Sequence, residues 1–407
     1  MKNRDSAPEG VTKIPVTEQW IPYGHQAIDE GDITSVAEIL RSDWITQGPK
    51  VEEFEFALAD YCGSKYGVSF SSGTAALHAA CAVAGIGPGD EVITTPLTFV
   101  ATANAVIYQG GRPVFADIDP LTLNIDPERI KAQISRKTKA IIPVHFGGLA
   151  CDMRKINEIG REKNLVIIED ACHALGAKLL TSNGWERIGS CCYSDMVVFS
   201  FHPVKQITTG EGGMVLTNSP EFVEHLRRFR HHGIRRDCSE AVSEGPWYYE
   251  MEDLGFNYRM TDFQSALGLS QLNHLNDFLA RRQTIAEHYR ENLRQVGLAF
   301  QEWDSGRYDH AWHLFVVQLP LKELNASRRM IFEALTSLGI GVNVHYNPVY
   351  LNPYYRDLGY KRGECPVAET YYERALTLPL FPKMTDADQE RVITAISDLL
   401  GRFANPK

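Results

Sequence analysis

The sequence predicts an α/β fold: a mainly parallel sheet flanked by helices, followed by a smaller C-terminal α+β region. Three observations carry this. From Tyr66 onward, short apolar runs at 91–95, 113–116, 140–145, 165–170, 196–201 and 214–217 alternate with helical or turn-forming stretches, the pattern of crossover-linked parallel strands. After a long helical stretch at 261–293 the pattern becomes mixed, with strands near 313–319 and 341–345 and helices near 327–338 and 386–400. Finally, 407 residues exceed what one hydrophobic core usually organises. Two domains are expected, divided near His274: a large one over 1–274 with an N-terminal arm, and a small one over 275–407.

In chain order, 32–41 and 51–61 have apolar residues at helical spacing. The strand from Tyr66 then meets a helix at Phe70-Ser71-Ser72-Gly73-Thr74-Ala75-Ala76-Leu77, a turn whose backbone amides are unobstructed. The first amides of a helix lack internal acceptors and carry the positive end of its dipole, so this turn suits a phosphate; an ordinary serine N-cap is the alternative. The glycine-rich stretch 85–90 follows a helix, so the dinucleotide fingerprint is not met. Leu165-Val166-Ile167-Ile168-Glu169-Asp170 is a buried-strand pattern that ends in carboxylates. An acid at the carboxyl end of such a strand points into the ligand crevice of an open α/β sheet.

Lys205 lies 35 residues beyond Asp170, just past the apolar run Met196-Val197-Val198-Phe199 and ahead of a glycine-rich turn. A lysine held near the core loses its proton readily, and a neutral amine attacks an aldehyde to form a Schiff base. A snorkelling surface lysine is the ordinary reading, but from Phe199 to Gly210 no other side chain is formally charged except, when protonated, His202. Pyridoxal phosphate needs both groups: an amine for its aldehyde and an acid to keep its ring nitrogen protonated.

With these come Ile21-Pro22-Tyr23-Gly24, Thr46-Gln47-Gly48-Pro49, the segment Pro96-Leu97-Thr98-Phe99-Val100-Ala101-Thr102, Ser200-Phe201-His202-Pro203-Val204-Lys205 and Gly255-Phe256-Asn257-Tyr258-Arg259-Met260. This ordered set resembles the fold-type I, pyridoxal-phosphate-dependent sugar aminotransferases of the DegT/StrS family over nearly the whole chain. The resemblance implies a mainly parallel seven-stranded sheet, and a cofactor that cycles between pyridoxal and pyridoxamine phosphate. It implies that Lys205 carries the cofactor, Asp170 pairs with its ring nitrogen, Phe99 stacks on its face, and Ser72, Gly73, Thr74 and Ser200 hold its phosphate. Asn257 would reach that phosphate from the partner subunit of a homodimer with shared sites. His173 stands near the cofactor where many relatives carry glutamine. Around the sugar the resemblance places Tyr23, Ser72, the segment Asp43-Trp44-Ile45-Thr46 and Val344-His345-Tyr346-Asn347; Trp44 and Tyr346 serve equally well as packing residues.

The stretch around Lys205 is most similar to the family branch of pseudaminic acid biosynthesis. That branch moves the amino group of L-glutamate, released as 2-oxoglutarate, to C4 of a UDP-linked 4-keto-6-deoxy-N-acetyl-L-altrosamine precursor. Transaminases for GDP-perosamine or UDP-4-amino-arabinose, and a non-catalytic cofactor-binding relative, are the alternatives. A nicotinamide-dependent sugar dehydrogenase is disfavoured by the missing GxGxxG.

Composition narrows the rest. A net charge of −10 disfavours nucleic acid as a partner, and the basic run from His225 to Arg236 reads first as a solvated helix face, with contact to an anionic substrate as the alternative. No long uncharged apolar run predicts a membrane span, and the polar N-terminus does not read as a secretory signal. Eight cysteines without CxxC or zinc spacing indicate reduced thiols, a cytoplasmic setting and no metal site.

Overall fold

The computed structural model describes residues 20–236 and 245–405. Its first nine strands are β1 (Tyr66–Phe70), β2 (Glu91–Thr94), β3 (Arg112–Phe115), β4 (Thr138–Ile142), β5 (Val166–Asp170), β6 (Lys178–Thr181), β7 (Gly184–Arg187), β8 (Met196–Ser200) and β9 (Gly213–Thr217). Seven form one sheet in the order β1-β9-β8-β5-β4-β2-β3. β9 runs antiparallel to both neighbours and the other pairs are parallel, so six strands point the same way. These are the strands that the apolar runs predict.

Such a sheet must be covered on both faces. Ile93, Ile141, Ile167 and Val197 face a core with Phe54, Leu58 and Leu275, whereas Val92, Ile142, Ile168 and Val198 face the alanine-rich helix Gly73–Val83. Alternation along each strand therefore feeds two cores at once. The hairpin β6–β7 joins Tyr308–Asp309 in a separate three-stranded sheet and leaves Leu180 and Trp185 exposed, so no apolar run marks it. Residues 341–345, expected as a strand, form only an isolated bridge from Asn343 to Thr377. The Gly341 N–H is instead taken by the carbonyl of Ile21, where the N-terminal arm crosses this segment.

A third core lies toward the C-terminus, around strand Phe315–Gln318 between Ala299–Phe300 and Ala375–Leu378. One helix, Asp262–Leu293, serves both parts: Leu272 and Leu275 pack under the large sheet, whereas Ile285, Ala286, Tyr289 and Leu293 enter the third core. Among the described residues no helix is long and apolar enough to cross a membrane.

On the long helix, Gly268 allows close approach of Phe54, whose buried ring sits 5.2 Å from that of Phe201 at the start of the Lys205 loop. A Cβ at 268 would lie 2.6 Å from the Phe54 ring. Gly268→Ala gains about 1 kcal/mol of helix propensity but overpacks the core by about 1–3 kcal/mol. The net expectation is a lower urea-unfolding midpoint; a higher one would show that Phe54 moves aside freely.

Candidate active site

The carboxyl ends of β1, β5 and β8 open on a cavity of about 530 Å³. It gathers Tyr23, Ser72, Gly73, Thr74, Phe99, Asp170, His173, Ser200, Lys205, Val344, His345 and Tyr346 from the predicted set. Asp43, Trp44, Ile45, Thr46, Asn347 and Asn257 do not line it. Trp44 and Ile45 are exposed, Thr46 pairs with Thr261, and the exposed Asn257 pairs with His231.

After β1 the chain turns at Ser72, the N-cap of helix Gly73–Val83. Its Oγ accepts the Ala75 N–H at 3.1 Å and its carbonyl accepts the Ala76 N–H at 3.0 Å, so the Gly73 and Thr74 amides have no acceptor within the helix. Any side chain at 73 would strike Ser200, because a Cβ there would lie 2.7 Å from the serine Cβ. Bare amides and a hydroxyl thus share one wall, at the positive end of a helix.

Of the two carboxylates that end β5, Glu169 is buried against His145 and Ser194, while Asp170 reaches the cavity. Asp170 Oδ2 accepts the Thr102 hydroxyl at 2.7 Å and Oδ1 accepts the Cys172 N–H at 3.2 Å. Thr102 in turn accepts from Thr98 at 2.8 Å. This chain fixes the orientation of the carboxylate, and every partner donates to it.

Lys205 is half-buried, its flanks closed by protein and its amine in the cavity wall. Burial pulls its pKa below the ordinary 10.5, and the opposing pull of Cys172 and Asp170 does not restore it. Among the described residues lining the cavity, Lys205 is the only lysine and there is no arginine. Burial, then the nearby Lys205, hold His173 and His313 well below 6.5 and His345 down to about 3. Tyr346 keeps its proton, pushed up by burial, and its hydroxyl meets His173 Nε2 at 3.1 Å. His313, whose ring lies 4.4 Å from that of His173, was not predicted for the site, nor were Thr98, Thr102 and Glu211. The Thr98 and Thr102 spacing of four, at the start of helix Ala101–Tyr108, was the available signal; His313 sits at the edge of an apolar run and carries none.

The basic run lines a different cavity, of about 580 Å³, where Arg228 pairs with Glu224, Glu252 and Asp253, and Arg230 with Glu55.

The lysine shift gives a signed pH dependence. Unfolded chain keeps its proton up to 10.5 and folded protein releases it earlier, so between those points the unfolded state binds more protons and stability rises with pH. In cofactor-free protein, Lys205→Met lacks this slope: its advantage over wild type is largest below the folded midpoint and is gone by pH 10.5. Urea midpoints of both proteins over this range check it, and parallel curves would refute it.

The DegT/DnrJ/EryC1/StrS aminotransferase family model matches residues 26–397. The chain is 43% identical over 386 residues to the spore coat polysaccharide biosynthesis protein SpsC of Bacillus subtilis, covering 94% of this chain and 97% of that protein. Among solved structures, Spr1654 from Streptococcus pneumoniae in its PMP form superposes with a TM-score of 0.87 at 30% identity, covering 94% of this chain and 99% of that one. Helicobacter pylori PseC, an aminotransferase of pseudaminic acid biosynthesis, superposes with a TM-score of 0.84 at 29% identity, covering 95% of this chain and 100% of that one. With matches of this extent over the sheet and cavity described above, the chain belongs to the DegT/DnrJ/EryC1/StrS family and is a pyridoxal-phosphate-dependent sugar aminotransferase of fold type I.

Proposed function

We propose that this enzyme transfers the amino group of L-glutamate to C4 of a nucleotide-linked 4-keto-6-deoxy sugar, with the UDP-linked 4-keto-6-deoxy-N-acetyl-L-altrosamine precursor of pseudaminic acid as its substrate. The observation that carries the chemistry is one cavity holding both an amine whose charged form burial disfavours, Lys205, and a carboxylate that only accepts hydrogen bonds, Asp170. The likeness to PseC supports the sugar. So do the walls: Tyr23, His345 and Tyr346 combine aromatic faces with hydrogen-bonding groups, suited to a sugar whose C6 and N-acetyl methyls are apolar patches. The higher identity to SpsC favours a second reading, in which a different keto sugar destined for a polysaccharide is aminated.

The residues present fit the cofactor. Gly73, Thr74, Ser72 and Ser200 form a phosphate cradle that a side chain at 73 would fill, Asp170 is an acceptor for a protonated ring nitrogen, and the exposed face of Phe99 is available for stacking. When bound, pyridoxal phosphate supplies an electron sink for the carbanion formed as the donor loses its Cα proton. Lys205, whose surroundings disfavour its charged form, takes that proton; in the second half-reaction it delivers one to C4 of the sugar. The neutral His173, His313 and His345 add no competing positive charge beside it.

Asn257 lies outside the cavity of its own chain and is exposed, which supports its serving a second subunit and hence a homodimer with shared sites. The enzyme is expected in the cytoplasm, where sugar nucleotides and glutamate are found together.

Competition kinetics with glutamate as donor test the substrate. Amination of the UDP-linked L-arabino 4-keto sugar is expected to exceed that of its D-xylo epimer, UDP-4-keto-arabinose and GDP-4-keto-6-deoxy-mannose. The margin over the pentose is about 10–200-fold, the worth of one methyl in an apolar pocket. Lys205→Ala, as control, should lose about 10²–10⁴-fold or more. Faster turnover of the GDP sugar or the pentose overturns the substrate, and a fully active Lys205→Ala overturns the chemistry. For the shared site, mixing Lys205→Ala with Asn257→Ala chains is expected to restore one intact site per mixed dimer; an impaired Asn257→Ala homodimer with no recovery on mixing would exclude it.

A further inference from the structure

We propose that Gln271, on helix Asp262–Leu293, is a positioning residue that couples the arm carrying Tyr23 to the loop carrying Lys205, an inference that rests on the role given to Lys205 above. Its side chain is buried, at 1% exposure, and its amide reaches two segments far apart in sequence. Nε2 donates to the Ala27 carbonyl at 2.8 Å and to Asp32 Oδ2 at 2.6 Å, and Oε1 accepts the Thr208 N–H at 3.4 Å. The orientation of the amide is fixed, because Ala27 and Asp32 only accept and the Thr208 N–H only donates.

Each end has a rigid connection to the cavity. On the loop side, Thr208 Oγ1 donates to the Phe201 carbonyl at 2.9 Å, and Gln206, next to Lys205, donates to the His173 carbonyl at 2.5 Å. On the arm side, the chain between Tyr23 and Ala27 is pinned at its start by the Leu380 N–H, 3.1 Å from the Tyr23 carbonyl. Asp32 is fully buried; its Oδ2 takes the Asp29 N–H as well as Gln271, and its Oδ1 has no partner among the described residues. Among the described residues the Gln271 amide is therefore the one side-chain donor to the buried Asp32 carboxylate, which Asp29 and His274 also approach, and losing it leaves that carboxylate with only the Asp29 N–H.

The test uses cofactor-loaded enzyme and two variants. Gln271→Leu is expected to raise KM for the sugar nucleotide and lower kcat/KM about tenfold, the worth of a hydrogen bond to a charged group. It should also shift the pH midpoint of the visible cofactor band, which reports the lysine environment. A merely structural role would lower Tm and the active fraction while leaving KM and the midpoint alone. In Gln271→Glu, two buried carboxylates face each other. The introduced charge adds to a site that already holds Asp29 and His274 beside Asp32, and protonating the new glutamate relieves the repulsion, so activity relative to wild type should recover as pH falls. Unchanged KM and midpoint in Gln271→Leu overturn the coupling. If that variant does not fold, a pH-independent ratio for Gln271→Glu overturns it instead. A wild-type enzyme with no pH-dependent band overturns the Lys205 assignment and the coupling with it, whereas a normal wild-type band with an unshifted variant overturns the coupling alone.

Discussion

Six strands of the large sheet share one direction, and the site depends on that constraint. Parallel alignment puts the carboxyl ends of β1, β5 and β8 along one edge, so Ser72, Asp170 and Ser200 arrive together although about 130 residues separate the first from the last. The reversed strand β9 is what permits this. By lying between β1 and β8 and pairing antiparallel with both, it leaves them parallel to each other without a crossover helix between neighbours. Because both faces of the sheet are covered, a slip by one residue would push each apolar row into the opposite core, against side chains shaped for its neighbours.

Within that frame the local electrostatics are spare. A buried cation is costly and an adjacent carboxylate offsets part of that cost; the net direction for Lys205 is toward the neutral amine, so desolvation outweighs attraction. Asp170 escapes the same fate because hydroxyl and amide donors surround it. Burial disfavours a charge on the amine, while hydrogen-bond donors satisfy the carboxylate beside it, so neighbouring groups of one cavity meet different surroundings.

What could be read in the sequence was what sits close together in it. The serine-glycine turn, the carboxylate ending β5 and the lysine after β8 are each local patterns of a strand end followed by a turn, and the fold keeps local patterns intact. His313 and Gln271 depend on how distant segments fold over one another: Gln271 is 63 residues from Thr208 and 244 from Ala27, and on the helix it looks like any polar position. The segment 43–46 lies outside the cavity of its own chain, although no local pattern sets it apart from residues that line it. The division near His274 falls inside a continuous helix, where no turn or composition change marks the passage from one core to the next.

That helix has a mechanical consequence. Asp262–Leu293 contains no proline, and its backbone hydrogen bonds run unbroken past the point where it leaves the large sheet for the C-terminal core. Sharp kinks in helices need a defect, and this one offers none beyond Gly268, already locked against Phe54. A clamshell rotation of one core against the other would have to bend it. The cost of such a bend holds the two cores at a set angle, and the catalytic wall keeps the geometry that this helix gives it.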